Sequence, residues 1–384
     1  MIALGYLIVA YTSRELVCTH SFSAATLPID KPAKRDLIAI HRAWFKAIRE
    51  GDIPTFKHLQ STYNIDPNIK NEADIYALHY AVLCRQLFMV KELIAAGALP
   101  EQRDGAGQTT LHLAVRYNML DIVDYLIEKK VALNLFNKAQ QTALHLAIWL
   151  GYRKIALALI NSPACALHLP DGNLQTPLHL ALLWMEDNSI AQVLIEKKVP
   201  LDVQDILGNT PLGLAALNHN LDLVRIIILH NADVNIANND LQTPLHLVLH
   251  RPLTAKNVLL SPIDYDLFAI RQPFFPIYPP YYAQTHTFFP EEYLLYPADQ
   301  YTPKNRLAIV EALHKAGATV DLQDHYGNTP LHYIAYWNNL QALACLDVKD
   351  PSCLKKKNHQ QETALDIATQ RGYLTMMKKL RKHY

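Results

Sequence analysis

Glycine is scarce, at 12 of 384 residues, and neither sign of charge is in excess, because 36 Lys and Arg against 35 Asp and Glu leave a net charge of +1. Without a global field, nothing in the totals favours nucleic acid or an acidic membrane surface as a partner. The five cysteines, Cys18, Cys84, Cys165, Cys345 and Cys353, are odd in number and include no Cys-x-x-Cys pair. That argues against a disulfide framework or a zinc site and for reduced, mostly buried thiols. A Gly-rich phosphate loop, a His-Glu-x-x-His helix and a Gly-x-Ser-x-Gly elbow are all missing, so no familiar catalytic signature is present.

The apolar run at 1–13 is well short of the roughly 20 residues that span a bilayer. It fits a cleaved signal ending near Ser23-Ala24-Ala25 poorly, since no basic residue precedes it and Arg14-Glu15 breaks it early. The expectation is a cytoplasmic protein, of the producing cell or of a host, with residues 1–35 an extension. Residues 355–382 carry eight basic side chains against Glu362 and Asp366, which reads as a solvated cap on a helical end rather than a patch for an anionic partner.

What the chain does have is a repeat. Tetrads recur as Tyr76-Ala-Leu-His79, Thr109-Thr-Leu-His112, Thr142-Ala-Leu-His145, Thr176-Pro-Leu-His179, Thr210-Pro-Leu-Gly213, Thr243-Pro-Leu-His246, Thr329-Pro-Leu-His332 and Thr363-Ala-Leu-Asp366. Their fourth residues are spaced by 33 or 34, except for one step of 86 between His246 and His332. Each tetrad starts a helix: Thr offers its hydroxyl to an unpaired N–H at the helix start, and Pro at the first helical position gives up an N–H that had no partner. A small residue follows two positions after the tetrad, as Ala81, Ala114, Ala147, Ala181, Ala215 and Ala368, with Val248 and Ile334 as departures. Gly151, Gly372, Asn118 or Asn338 then supplies a left-handed turn before a second amphipathic helix such as Asp121-Ile-Val-Asp-Tyr-Leu-Ile-Glu128. Links such as Asp104-Gly-Ala-Gly107 suit a hairpin or turn projecting sideways.

These features strongly resemble the ankyrin-repeat family, most clearly in Asp324-His-Tyr-Gly-Asn-Thr-Pro-Leu-His332 and in the helix opening Leu221-Asp-Leu-Val-Arg225 and closing at His230-Asn-Ala-Asp-Val-Asn235. The resemblance implies an all-α solenoid of about nine helix-turn-helix repeats with hairpin loops. Repeats are expected at 36–251 and 304–384, the first of them with Trp44 and Phe45 in place of the Leu-His pair, and a Pro- and aromatic-rich insertion at 252–303. The turn glycine is replaced by Asp74, Gln140, Leu174, Leu241 and Gln361, so those hairpins are expected to be irregular. The resemblance also makes the tetrad histidines structural, each imidazole bonding neighbouring backbone, and it implies no cofactor and no metal. Cys165, three residues from His168, reads as a buried small apolar side chain rather than a nucleophile.

In the family, two positions near the end of each inner helix face a concave groove. Here they hold Leu83-Cys84, Arg116-Tyr117, Trp149-Leu150, Leu183-Trp184, Leu217-Asn218, His250-Arg251 and Tyr336-Trp337. The expected site is a protein-binding groove of Arg116, Tyr117, Trp149, Trp184, Tyr336 and Trp337, rimmed by Lys138, Asn173 and Tyr326. The competing reading has these aromatics packing between inner helices. Phe274, Phe275, Tyr278, Tyr281 and Tyr282 of the insertion form a secondary candidate. The function implied is a non-catalytic, monomeric scaffold for a protein partner. Alternatives are a secreted bacterial effector acting on host proteins and, third, an enzyme with its site in the insertion.

Overall fold

The computed structural model describes residues 34–249 and 303–383, apart from 186 and 347–350. The extension before residue 34 and nearly all of the expected insertion, with Phe274, Phe275, Tyr278, Tyr281, Tyr282 and the His250-Arg251 pair, lie outside the described residues. Nineteen helices among the described residues form nine antiparallel pairs and one extra turn, Ser352–Lys355. An isolated bridge between Lys70 and Tyr76 is the only β-pairing among them, so the chain is an all-α solenoid.

The inner helices are short, from Thr110–Arg116 to Ala364–Gln370, and each is cut to length by its own caps. Thr109, Thr142, Thr210 and Thr363 accept from the backbone N–H three residues on. The turn into the outer helix passes through a left-handed residue in repeat after repeat: Arg85, Asn118, Gly151, His219, Asn338 and Gly372 all have positive φ. Outer helices such as Leu120–Glu128 and Leu221–Leu229 then lie back on the inner row. The tetrad leucines from Leu78 to Leu331 and the alanines two places after each tetrad are almost fully buried, with Leu365 of the last repeat half-buried, letting neighbouring inner helices touch along their length. Burying these apolar faces, at about 25 cal/mol per Å², drives the stacking.

The first repeat uses different chemistry for the same purpose. Its helix Lys34–Glu50 buries Trp44 completely, stacked on Phe56 of Ile53–Tyr63 at 5.3 Å, while Phe45 meets Tyr80 of the next repeat edge-on.

The solenoid runs unbroken past the long step in the tetrad spacing. Pro244–Leu249 packs on Pro303–Lys315 as inner and outer helix of one repeat, and Ile309, Val310 and Leu313 are fully buried. Asn235 on one side of that step bonds Gly317 and Thr319 on the other, donating to the Gly317 carbonyl at 3.2 Å and accepting from the Thr319 N–H at 2.9 Å.

Two expectations need correction. The hairpins without glycine are regular: Asp74, Gln140, Leu174, Leu241 and Gln361 take φ between 56° and 61°, close to their glycine counterparts Gly107, Gly208 and Gly327. The conformation is imposed by the residue three places earlier. At Asp104, Asn137, Asp171, Asp205, Asn238, Asp324 and Asn358, the side-chain oxygen accepts the N–H four residues on at 2.8–3.0 Å. A left-handed residue costs about 1 kcal/mol or more, and that loop of bonds holds it there. The second correction concerns His79. Its ring nitrogens have no hydrogen-bond partner of normal geometry, because Tyr76 stands where the other repeats have threonine. The Gln102 backbone gives the ring only a contact that falls short of normal hydrogen-bond geometry.

The other five tetrad histidines act as expected. Backbone N–H groups of Thr109, Thr142, Thr176, Thr243 and Thr329 donate to the imidazole Nδ1 three residues on at 3.0–3.3 Å. That fixes the proton on Nε2, which donates across the repeat boundary to the carbonyls of Gln141, Leu169, Asn209, Asn328 and Glu362 at 3.0–3.2 Å. Each imidazole is thus a bracket between two repeats, and burial pushes His112 and His145 down to about 4.

Candidate functional site

Inner helices stand side by side and parallel. At their starts the histidine bonds just described join one repeat to the next. At their ends the Asn218 side chain donates to the Leu182 carbonyl of the preceding repeat at 3.0 Å. Their C-terminal residues therefore form one row along the stack. Leu83, Tyr117 and Tyr336 are the most open positions in it, Tyr117 being 41% and Tyr336 39% exposed. Arg116, Leu150, Leu183, Asn218 and Trp337 are half-buried.

Trp149 and Trp184 are half-buried too, and each packs against the apolar core. The structure brings them into the same row in adjacent repeats, with one part of each indole on the core and another part open. The packing reading of these aromatics therefore holds for the seated part of each indole.

At the far end of the row Tyr336 meets Trp337 edge-on at 4.7 Å, and the Arg371 guanidinium lies 3.6 Å over the Tyr336 ring. A cation stacked this closely on an aromatic contributes about 0.5–2 kcal/mol. Arg371 is absent from the expected site, yet the signal was available: it stands five residues after Asp366, as Trp337 does after His332.

The rim is built from the hairpin tips, which are tied to one another through backbone. The second residue of a tip donates its N–H to the third residue of the tip before it: Lys138 to Ala106, Ile206 to Asn173, Asn239 to Leu207, His325 to Asp240 and His359 to Tyr326, at 2.9–3.1 Å. Between Ala73 and Gly105 and between Ala139 and Gly172 that bond is missing. Lys138, Asn173 and Tyr326 thus hold the ladder with backbone atoms. Lys138 and Tyr326 expose their side chains, Tyr326 by 64%, and Asn173 is half-exposed. Leu174, Ile206 and Leu241, none of them among the expected rim residues, also stand open on the tips.

Tyr117, Tyr336, Tyr326, Leu174, Ile206 and Leu241 supply large exposed apolar area along the row and rim. Burial pushes the Cys165 thiol up to about 12, which leaves it protonated and unreactive at neutral pH. No group of three or more His, Cys, Asp or Glu side chains among the described residues is placed to hold a metal ion. No helix among them is long and apolar enough to cross a membrane.

A family model of ankyrin repeats (three copies) matches residues 44–137, 86–171, 178–268 and 300–384. The chain belongs to the ankyrin-repeat family. It is similar to the putative ankyrin repeat protein L371 of Acanthamoeba polyphaga mimivirus, with 22% identity over 303 residues that cover 77% of this chain and 32% of the relative. This chain thus spans about a third of that relative's length. Among solved structures it is similar to the ankyrin repeat domain of Bcl-3, a member of the IkappaB protein family, at 25% identity and a TM-score of 0.49 over 53% of this chain and 92% of that one. Ankyrin repeats generally mediate protein–protein interaction.

Proposed function

We propose that this protein is a non-catalytic scaffold that binds a partner protein along the row formed by Arg116, Tyr117, Trp149, Trp184, Tyr336 and Trp337, with Lys138, Asn173 and Tyr326 at its rim. The observation that carries this reading is the placement of Trp, Tyr and Arg at the inner-helix ends. Their neighbours in the same row are Leu, Cys and Asn, so the stack does not require large aromatics there. Such side chains dominate interface energy, at about 2 kcal/mol or more each when central and desolvated. Indoles already half-settled on the core lose little conformational freedom on binding, which lowers the entropy cost of capture. Arg371, stacked on Tyr336, extends the same surface by one repeat.

The test is quantitative crosslinking of partners from lysate to the full chain, compared with two variants. Tyr117→Ala with Arg116→Glu changes the more open edge, and Trp149→Ala with Trp184→Ala removes the centre. Loss of the same crosslinked partner in both variants supports the groove. Unchanged capture by a Trp149→Ala, Trp184→Ala protein that retains wild-type far-UV circular dichroism refutes it.

A further inference from the structure

The net charge of +1 conceals a segregation. Residues 351–384 hold eight Lys and Arg and two acids, a net +6, which leaves the first 350 residues at −5. The structure shows where that charge is displayed. In the outer helix Leu374–His383, Met376 and Leu380 are fully buried, while Leu374, Thr375, Lys378, Lys379, Arg381 and Lys382 are exposed. At 100° per residue, Leu374, Lys378, Arg381 and Lys382 fall on one stripe of that helix. Lys378, Lys379, Arg381 and Lys382 have no carboxylate within ion-pair distance among the described residues. The neighbouring basic Lys356 differs, reaching Asp321 at 3.2 Å. The two acids of this repeat are engaged elsewhere. Asp366 accepts from the Thr363 N–H and hydroxyl at 2.9 and 2.8 Å, and Glu362 takes the Gln370 amide at 2.7 Å. Lys355 and Lys357 are exposed on the same repeat.

We infer that this face attaches to an anionic lipid bilayer. A solvated cap accounts for lysines on a helix, but not for a leucine left 70% exposed on one stripe with Lys378, Arg381 and Lys382, none of them ion-paired among the described residues. Cations around an apolar anchor suit a headgroup layer, where the charges meet anionic lipid and the leucine enters the acyl boundary. Duplex nucleic acid would use the cations and give the leucine nothing to enter. The cations lie along the outer helix of the last repeat, whereas the partner row is made by the ends of the inner helices.

The experiment is co-sedimentation of the full chain with phosphatidylcholine vesicles, with and without about one-third phosphatidylserine, over a salt series. Each cation near an anionic surface strengthens attachment about fivefold. The variant Lys378→Gln, Lys379→Gln, Arg381→Gln, Lys382→Gln should therefore lose at least a hundredfold in partitioning. Leu374→Ser should lose several-fold, and salt should release the wild type as the Debye length shortens. Because these residues are exposed, far-UV circular dichroism should be unchanged in both variants. The inference is overturned if wild type ignores phosphatidylserine at low salt or if the four-fold variant partitions as wild type does. Binding to a DNA or RNA duplex as strong as to vesicles, and insensitive to Leu374→Ser, overturns it in favour of nucleic acid. Equal binding to polyglutamate overturns it in favour of an acidic protein segment.

Discussion

Mild acid should loosen the solenoid before it protonates ordinary carboxylates, because the brackets between repeats are neutral imidazoles. His112, His145 and His219 are each held near pKa 4, with burial as the first cause, against about 6.5 in an unfolded chain. A second proton on the first two would have to sit on Nδ1, where the threonine N–H already points. Between pH 6.5 and 4 the unfolded chain therefore binds more protons than the folded one. The stability these groups contribute is complete above pH 6.5 and falls as pH drops towards 4. At pH 5 the loss is about 2 kcal/mol for each of the three. Asp171 works the other way. Burial raises it to about 6, so acidification to pH 5 returns about 1.4 kcal/mol by neutralising a carboxylate that costs energy when charged. The net expectation is a loss of about 4–5 kcal/mol between pH 7 and 5. Urea unfolding followed at 222 nm at the two pH values, on wild type and His145→Gln, checks it. The variant should be weaker at pH 7 and should lose about 2 kcal/mol less on acidification. An equal pH dependence in the two proteins would refute the assignment of the effect to the bracket.

Three further outcomes follow from local geometry. His145→Leu leaves the Thr142 N–H and the Leu169 carbonyl without their imidazole and should cost about 2–3 kcal/mol, whereas His79→Leu, which breaks no hydrogen bond, should cost under about 1 kcal/mol. Chemical denaturation of the two variants side by side decides the comparison. Leu174→Gly and Leu241→Gly relieve left-handed leucines that are also exposed, and each should raise stability by about 0.5–1 kcal/mol in a thermal melt. Gly208→Ala should destabilise by about 1–3 kcal/mol in the same melt, because the added carbon would stand 2.5–2.6 Å from Asn239 at a positive φ.

The architecture was legible because each repeat announces itself with residues that do local work. Thr before Pro-Leu marks a helix start, a buried alanine marks close approach, and Gly97, Asn231 and Gly317 mark outer-helix ends with positive φ. What the sequence hid was conformation chosen by bonding rather than by residue type. Leu174 and Leu241 look wrong for a tight turn, and only the side chains of Asp171 and Asn238, three places earlier, explain them. Arg85 and His219 turn the chain into outer helices for which no propensity argues. The site was legible as positions and not as surroundings. Spacing finds the inner-helix ends, while the seating of Trp149 and Trp184 against the core depends on neighbours one repeat away in the sequence.

The missing bond between Ala139 and Gly172 leaves that boundary with fewer hairpin ties than the boundaries after it. From the third hairpin onward every other pair of neighbouring tips is tied through backbone, and at this same boundary the histidine bracket reaches Leu169 instead of the residue just before the next threonine. The inner helices pack on one another across this boundary as they do elsewhere, so the difference is confined to the hairpin side. Trp149 stands on one side of that boundary and Trp184 on the other, so a molecule gripping both indoles would bridge the two untied repeats and supply a link that their hairpins lack.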